Sequence, residues 1–197
     1  MKKTILLISL FFTLASCQTG MRADLILLEN GKELFFQAQY QKALIPLQKS
    51  ARINPRNDVA IAYLGYCQYY LDDWSTALIY FNQSLKLNTR NNIALFGKSL
   101  ILWNMDDRLN AYLIFDSVGK INPNHDKVFY YKAQAELYFG DTLSSEKSLK
   151  KAINNAQDYS EPYYLLASIY FKKGLHSKAD SIIRIASSKK EKLLKQT

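Results

Sequence analysis

Two patterns of apolar residues divide this chain of 197 residues. The first is a continuous apolar run, ILLISLFFTLA (5–15), behind the charged start Lys2-Lys3. That arrangement is the n-region and h-region of a secretory signal, and the run is shorter than the roughly 20 apolar residues of a membrane span. The second pattern fills the rest of the chain, where long stretches rich in Ala, Leu and Lys alternate with short polar breaks. With only 7 Gly and 4 Pro, turns are too few for a strand-and-turn architecture, so this part is predicted to be helical throughout.

The helical part repeats itself. INPRN (53–57), LNTRN (87–91) and INPNH (121–125) recur 34 residues apart. Extended in both directions without insertion or deletion, the frame gives five units, 24–57, 58–91, 92–125, 126–159 and 160–193. The first position of each is Asp24, Asp58, Asn92, Asp126 or Ser160, side chains suited to capping a helix start. Position 8 is small throughout (Gly31, Gly65, Ser99, Ala133, Ala167), as is position 20 (Ala43, Ala77, Ala111, Ser145, Ala179). Position 24 is bulky: Leu47, Phe81, Phe115, Leu149 and Ile183. Small residues let two helices approach closely, and the bulky one fills the space beside them. Asp72-Asp73, Asp106-Asp107, Gly140-Asp141 and Gly174 mark turns between the two helices of a unit.

This helix–turn–helix period, with Pro55 and Pro123 at position 32, resembles the tetratricopeptide repeat (TPR). Thr89, Gln157 and Glu191 replace that proline elsewhere, and Pro46 falls inside the second helix of the first unit, where it should remove a hydrogen bond and kink the helix. The resemblance implies an all-α solenoid of five tandem units forming a right-handed superhelical arc, with the first helices lining its concave side. In TPR proteins, positions 2, 5, 9, 12 and 13 usually face that groove. Carried over, they give Phe35 and Phe36; Tyr66, Tyr69 and Tyr70; Phe96 and Trp103; Tyr130 and Tyr138; Tyr164 and Phe171. The expected groove is strongly aromatic, and aromatics at these positions serve either as binding surface or as packing between first helices. The basic clamp with which some TPR arrays hold a C-terminal carboxylate is missing, since positions 5 and 9 carry Leu28 and Lys32, Ala62 and Tyr66, Phe96 and Leu100. An apolar or aromatic-containing peptide, or a helix, suits such a groove better.

Leu14-Ala15-Ser16-Cys17, at the end of the leader, looks like a bacterial lipobox. The resemblance implies a signal peptide over 1–16, acylation of Cys17 (palmitate among the chains) and a short tether over 17–23. Residues 18–23 allow at most about 20 Å of slack at ~3.3 Å per residue. Gln18 after the anchor, and the lack of an acidic run there, point to an outer-membrane lipoprotein facing the periplasm.

Charge and chemistry narrow the reading further. The chain holds 26 Lys and Arg against 17 Asp and Glu. Loss of Lys2 and Lys3 with the leader leaves 24 against 17, a mature net charge of +7, which favours anionic surfaces; no nucleic-acid recognition motif is present. Arg52, Lys86 and Lys120 share position 29, where a cation meets the negative end of a helix dipole; a membrane-facing basic stripe is the alternative. The Lys-rich end (Lys189, Lys190, Lys192, Lys195) is expected either to solvate the last helix as a polar cap or to serve a role of its own, with 194–197 a basic tail. With Cys17 spent on lipid, only Cys67 is left, so no intramolecular disulfide forms, and Cys67 reads as a small buried side chain. His125 and His176 lack metal-ligand or triad partners at suitable spacing, so no catalytic residue, metal or cofactor is expected. The expected function is that of a membrane-anchored, non-enzymatic adaptor binding another envelope protein or peptide. Capture of a small ligand or glycan by the same groove is the alternative.

Overall fold

The computed structural model describes residues 23–125, 127–155 and 159–194, with side chains to residue 188. The leader, Cys17, the tether to residue 22, Asp126 and the end of the basic tail lie outside the described residues. Those described form ten α-helices and no strand: α1 (23–36), α2 (Tyr40–Ile53), α3 (Asp58–Tyr70), α4 (Trp74–Leu87), α5 (Asn92–Asn104), α6 (Arg108–Ile121), α7 (Val128–Tyr138), α8 (Thr142–Asn155), α9 (Glu161–Lys172) and α10 (His176–Leu194). The chain divides within α5 into two compact bodies, one ending at Ile101 and the other beginning at Leu102. In each body, helices adjacent in sequence pack against one another.

Small and large residues interlock as their spacing implies. In the N-terminal body Leu47 and Phe81 are fully buried. Leu47 covers Gly31, where a Cβ would come within 2.5 Å of its Cγ; Phe81 covers Gly65, where a Cβ would come within 2.7 Å of its ring. Phe81 also lies against Gly97 of α5, too close for any side chain there. Close packing of this kind makes even a methyl group costly. In the C-terminal body Ala133 and Leu149 share a core with Leu166, Ala167 and Ala179, and the Ser145 hydroxyl donates to the Ala133 carbonyl (2.9 Å).

Each intra-repeat turn places its fifteenth repeat residue in the left-handed region: Ala38 (φ 56°), Asp72 (61°), Asp106 (66°), Gly140 (83°) and Gly174 (71°). The following aspartate caps the second helix in two repeats, Asp73 accepting from the Thr76 N–H (3.0 Å) and Asp141 from that of Ser144 (2.9 Å), whereas Asp107 accepts from the Asn110 side chain and makes no cap. α2 runs unbroken through Pro46.

Among the described residues, those that open the repeats do not cap as the sequence led one to expect. Caps are supplied from the end of the preceding repeat: Asn57 Oδ1 accepts from the Ala60 N–H (3.0 Å) and Asn91 Oδ1 from those of Ile93 and Ala94. His125 Nδ1 does the same for Lys127 and Val128. Asp58 and Asn92 lie inside their helices, as does Asp24, and Ser160 makes no capping bond. The aspartates instead close a polar clasp. Asp24 accepts from Asn54 Nδ2 through its carboxylate (2.8 Å) and from the Ser50 hydroxyl through its carbonyl (2.8 Å). Asp58 repeats the arrangement with Asn88, Asn91 and Ser84. The recurring asparagines of the sequence motif thus serve two purposes: those at 54 and 88 hold the start of a repeat's first helix to the end of its second, and those at 57 and 91 start the next repeat.

Candidate interaction surface

The aromatic positions expected to form one lining separate by burial. Tyr66 (8% exposed) and Phe96 (6%) are core residues, with Leu28, Ala62 and Leu100 at equivalent positions also buried. At positions 5 and 9 of the first three repeats these five pack inward rather than offering a surface, while Lys32, at position 9 of the first, is half-exposed and pairs with Glu29; Tyr66 meets Phe81 edge-on at 5.1 Å. Phe35, Tyr69, Trp103 and Tyr130 are half-buried. The exposed members are Phe36 (71%), Tyr70, Tyr138 (61%), Tyr164 and Phe171. All but Tyr164 stand at the last turn of a first helix or just beyond, beside the intra-repeat turn.

In the N-terminal body this edge is a cluster of stacked rings. Phe35 is its hub, with Phe36, Tyr40, Tyr63, Tyr66 and Tyr70 between 5.3 and 5.9 Å away. Tyr40, from the start of α2, lies parallel to Tyr70 (4.7 Å, 8°), and Tyr69 meets Tyr70 edge-on. Burial, then the neighbouring Tyr40 and Tyr69, raise the Tyr70 phenol above its usual range, so it keeps its proton.

In the C-terminal body the equivalent edge centres on a residue outside the expected set. The Arg108 guanidinium lies 4.1 Å from the centroid of the Trp103 ring and 5.6 Å from that of Tyr138. Its Nη1 donates to the Trp103 carbonyl (2.6 Å) and its Nε to Asp106 (2.8 Å). Trp103 reaches inward to the buried Phe115 (6.3 Å) and outward to Tyr138 (6.4 Å, 75°). Tyr138 and Tyr112 both meet Phe139 edge-on. A planar cation stacked on rings and fixed by two hydrogen bonds is held rigidly, so little side-chain entropy is lost when a partner covers it. Arg108 was missed because it begins a second helix, which repeat positions do not assign to the groove. Tyr130 stands apart, against Tyr159 (5.2 Å) and accepting from Gln134, and Phe171 meets His176 (4.6 Å).

Polar chemistry elsewhere has a structural purpose. Glu146 of α8 accepts from Lys173 (2.8 Å), Lys150 (2.9 Å) and the Tyr170 hydroxyl (3.1 Å), which hold its carboxyl down at about 2. Asp116 bridges Lys132 (2.5 Å) and Lys120 (2.6 Å). Cys67 is buried, and burial pushes its thiol up to about 12. Among the described residues no group of three His, Cys, Asp or Glu could hold a metal ion, and no helix is long and apolar enough to cross a membrane.

Comparison with protein-family profiles and with curated protein sequences gave no match. Solved structures do match. PilF of Pseudomonas aeruginosa aligns over 87% of this chain and 78% of its own, with TM-score 0.78 at 16% identity. TTC0263, a thermophilic TPR protein of Thermus thermophilus, aligns over 88% and 94%, with TM-score 0.70 at 20% identity. YrrB, described as a TPR protein with an unusual peptide-binding site, aligns over 90% and 91%, with TM-score 0.61 at 14% identity. The chain therefore has an all-α fold of the TPR solenoid class.

Proposed function

We propose that this chain is a non-enzymatic adaptor, anchored to a bacterial membrane by acylated Cys17, that binds another cell-envelope protein or a segment of one through its turn-edge aromatics. The observation that carries the reading is the Trp103–Arg108–Tyr138 stack, with Tyr138 largely exposed at its rim. Trp, Tyr and Arg dominate the energetics of protein interfaces, and here the three are rigid before any partner arrives. The peptide-binding site named for YrrB supports the same use of this fold. The outer membrane facing the periplasm is the proposed location, on the lipobox and Gln18.

A photo-cross-linking residue placed at Tyr138 in cells tests the adaptor. It should capture a defined protein, with capture reduced roughly thirtyfold by Arg108→Ala, about 2 kcal/mol for a hot-spot residue. Capture no greater than from Lys147, exposed on α8, would overturn the reading; saturable binding of a sugar by the purified chain would replace it with glycan capture. Acylation is tested separately by fatty-acid labelling, which Cys17→Ala should abolish, and location by membrane fractionation with surface proteolysis.

A further inference from the structure

The clasp on Asp24 determines where the chain enters the N-terminal body. Asp24 is the second residue of α1 and is hydrogen-bonded to Ser50 and Asn54 at the far end of α2. Whatever precedes residue 23 thus leaves from the edge at which the second helices end. Asp58 ties the start of α3 to the end of α4 at the same edge, so the loops 54–57 and 88–91 both lie there.

This edge is basic. Arg52, Arg56, Lys86 and Arg90 are exposed, with exposed Ile53 and Leu87 between them. No ion pair involving these four cations occurs among the described residues. Of the carboxylates that start α1 and α3, Asp24 is fully buried, and Asp58 is half-buried and accepts from two asparagines. The opposite edge of the same body carries Asp72 and Asp73 beside the aromatic cluster. Helix dipoles account for Arg52 and Lys86, which lie in the last turns of α2 and α4. They do not account for Arg56 and Arg90, which lie beyond those helices in the loops.

We infer that this edge docks on the anionic headgroups of the bilayer, its four cations pairing with lipid phosphates while Ile53 and Leu87 enter the interface. Each cation near an anionic leaflet contributes about 1 kcal/mol, and the attraction fades within roughly 10 Å at 0.1 M salt. The inference rests on the proposed anchor at Cys17, whose tether of about 20 Å delivers this edge, rather than the aromatic one, to the lipid.

The test partitions the purified full chain onto phosphatidylcholine vesicles with and without phosphatidylglycerol. Leader or anchor contributes to both, so the reading is the ratio. A preference of about tenfold or more for the anionic vesicles is expected at low salt, collapsing in 0.5 M salt, the ionic strength roughly at which screening removes such contacts. Arg56→Glu with Arg90→Glu should abolish the preference. These loop residues donate only backbone N–H groups to Asn54 and Asn88, which glutamate retains, and far-UV circular dichroism checks the fold. Lys42→Glu with Lys147→Glu removes the same charge elsewhere and should retain the preference. Equal partition of the wild type, or equal loss in both double variants, overturns the headgroup contact. Fatty-acid labelling separates the two readings: an unlabelled wild type refutes the anchor, while the vesicle ratio still decides what the edge binds.

Discussion

Ala38 occupies the left-handed turn position that the other repeats fill with Asp or Gly. An L-residue there costs roughly 1–2 kcal/mol, partly offset in a Gly variant by the greater entropy of the unfolded chain. Ala38→Gly is expected to stabilise the protein by up to about 1 kcal/mol, measured by urea unfolding; a lower midpoint would contradict it. Turns at Asp72, Asp106, Gly140 and Gly174 were legible because their residue types announce them, whereas Gln37-Ala38-Gln39 announces nothing. The same limit explains the caps. Asp at a repeat start and Asn at the preceding repeat's end are both competent acceptors, and sequence does not say which reaches the free N–H groups. Gly97 escapes a sequence reading for a related reason: its importance comes from Phe81, distant in sequence and wedged against it.

Helix order and, in the first four repeats, the burial of the bulky position 24 follow from spacing alone, whereas Ile183, at the same position of the fifth, is exposed. Pairing of neighbouring helices could therefore be read directly. Which side of a first helix reaches solvent could not, because burial at Tyr66 and Phe96 depends on how closely the next helix lies. Contacts between helices also set the pH response. Glu146 ties α8 to the end of α9 through Lys173 and Tyr170, and its carboxyl titrates at about 2, well below the ordinary carboxylate range. A depressed folded value means the stabilisation is fully present above the unfolded value of about 4.3 and is lost as pH falls toward 2. Glu146→Gln should therefore destabilise by roughly 2 kcal/mol at neutral pH, solvent screening having removed part of the full effect, with the gap to wild type closing toward pH 2 in chemical denaturation. A gap independent of pH would show that packing, not charge, holds this contact.

For the molecule as a whole, stability in a repeat architecture is a sum over neighbours, and a terminal element has fewer of them. α10 packs on α9, while Ile183 and Ile185 on it are exposed. By contrast, α3 carries seven buried residues between its neighbours. Native-state hydrogen exchange should accordingly be fastest in α10 and slowest in α3 and α4; uniform protection along the chain would contradict the neighbour-sum picture. The N-terminal body is chemically two-ended, aromatic where its repeats turn, with Asp72 and Asp73 at the second turn, and basic where one repeat gives way to the next.

The clasp at Asp24 has a mechanical meaning as well. Tension transmitted along the chain ahead of residue 23 reaches the folded part at the hydrogen bonds from Ser50 and Asn54, before it reaches the apolar contacts of α1 with α2. Those two side chains lie at the end of a different helix, so the load is shared with α2 at once instead of unwinding α1 from its tip. A short polar knot of this kind is a strain relief: a pull on the chain ahead of residue 23 would be borne without the first repeat being the part that gives.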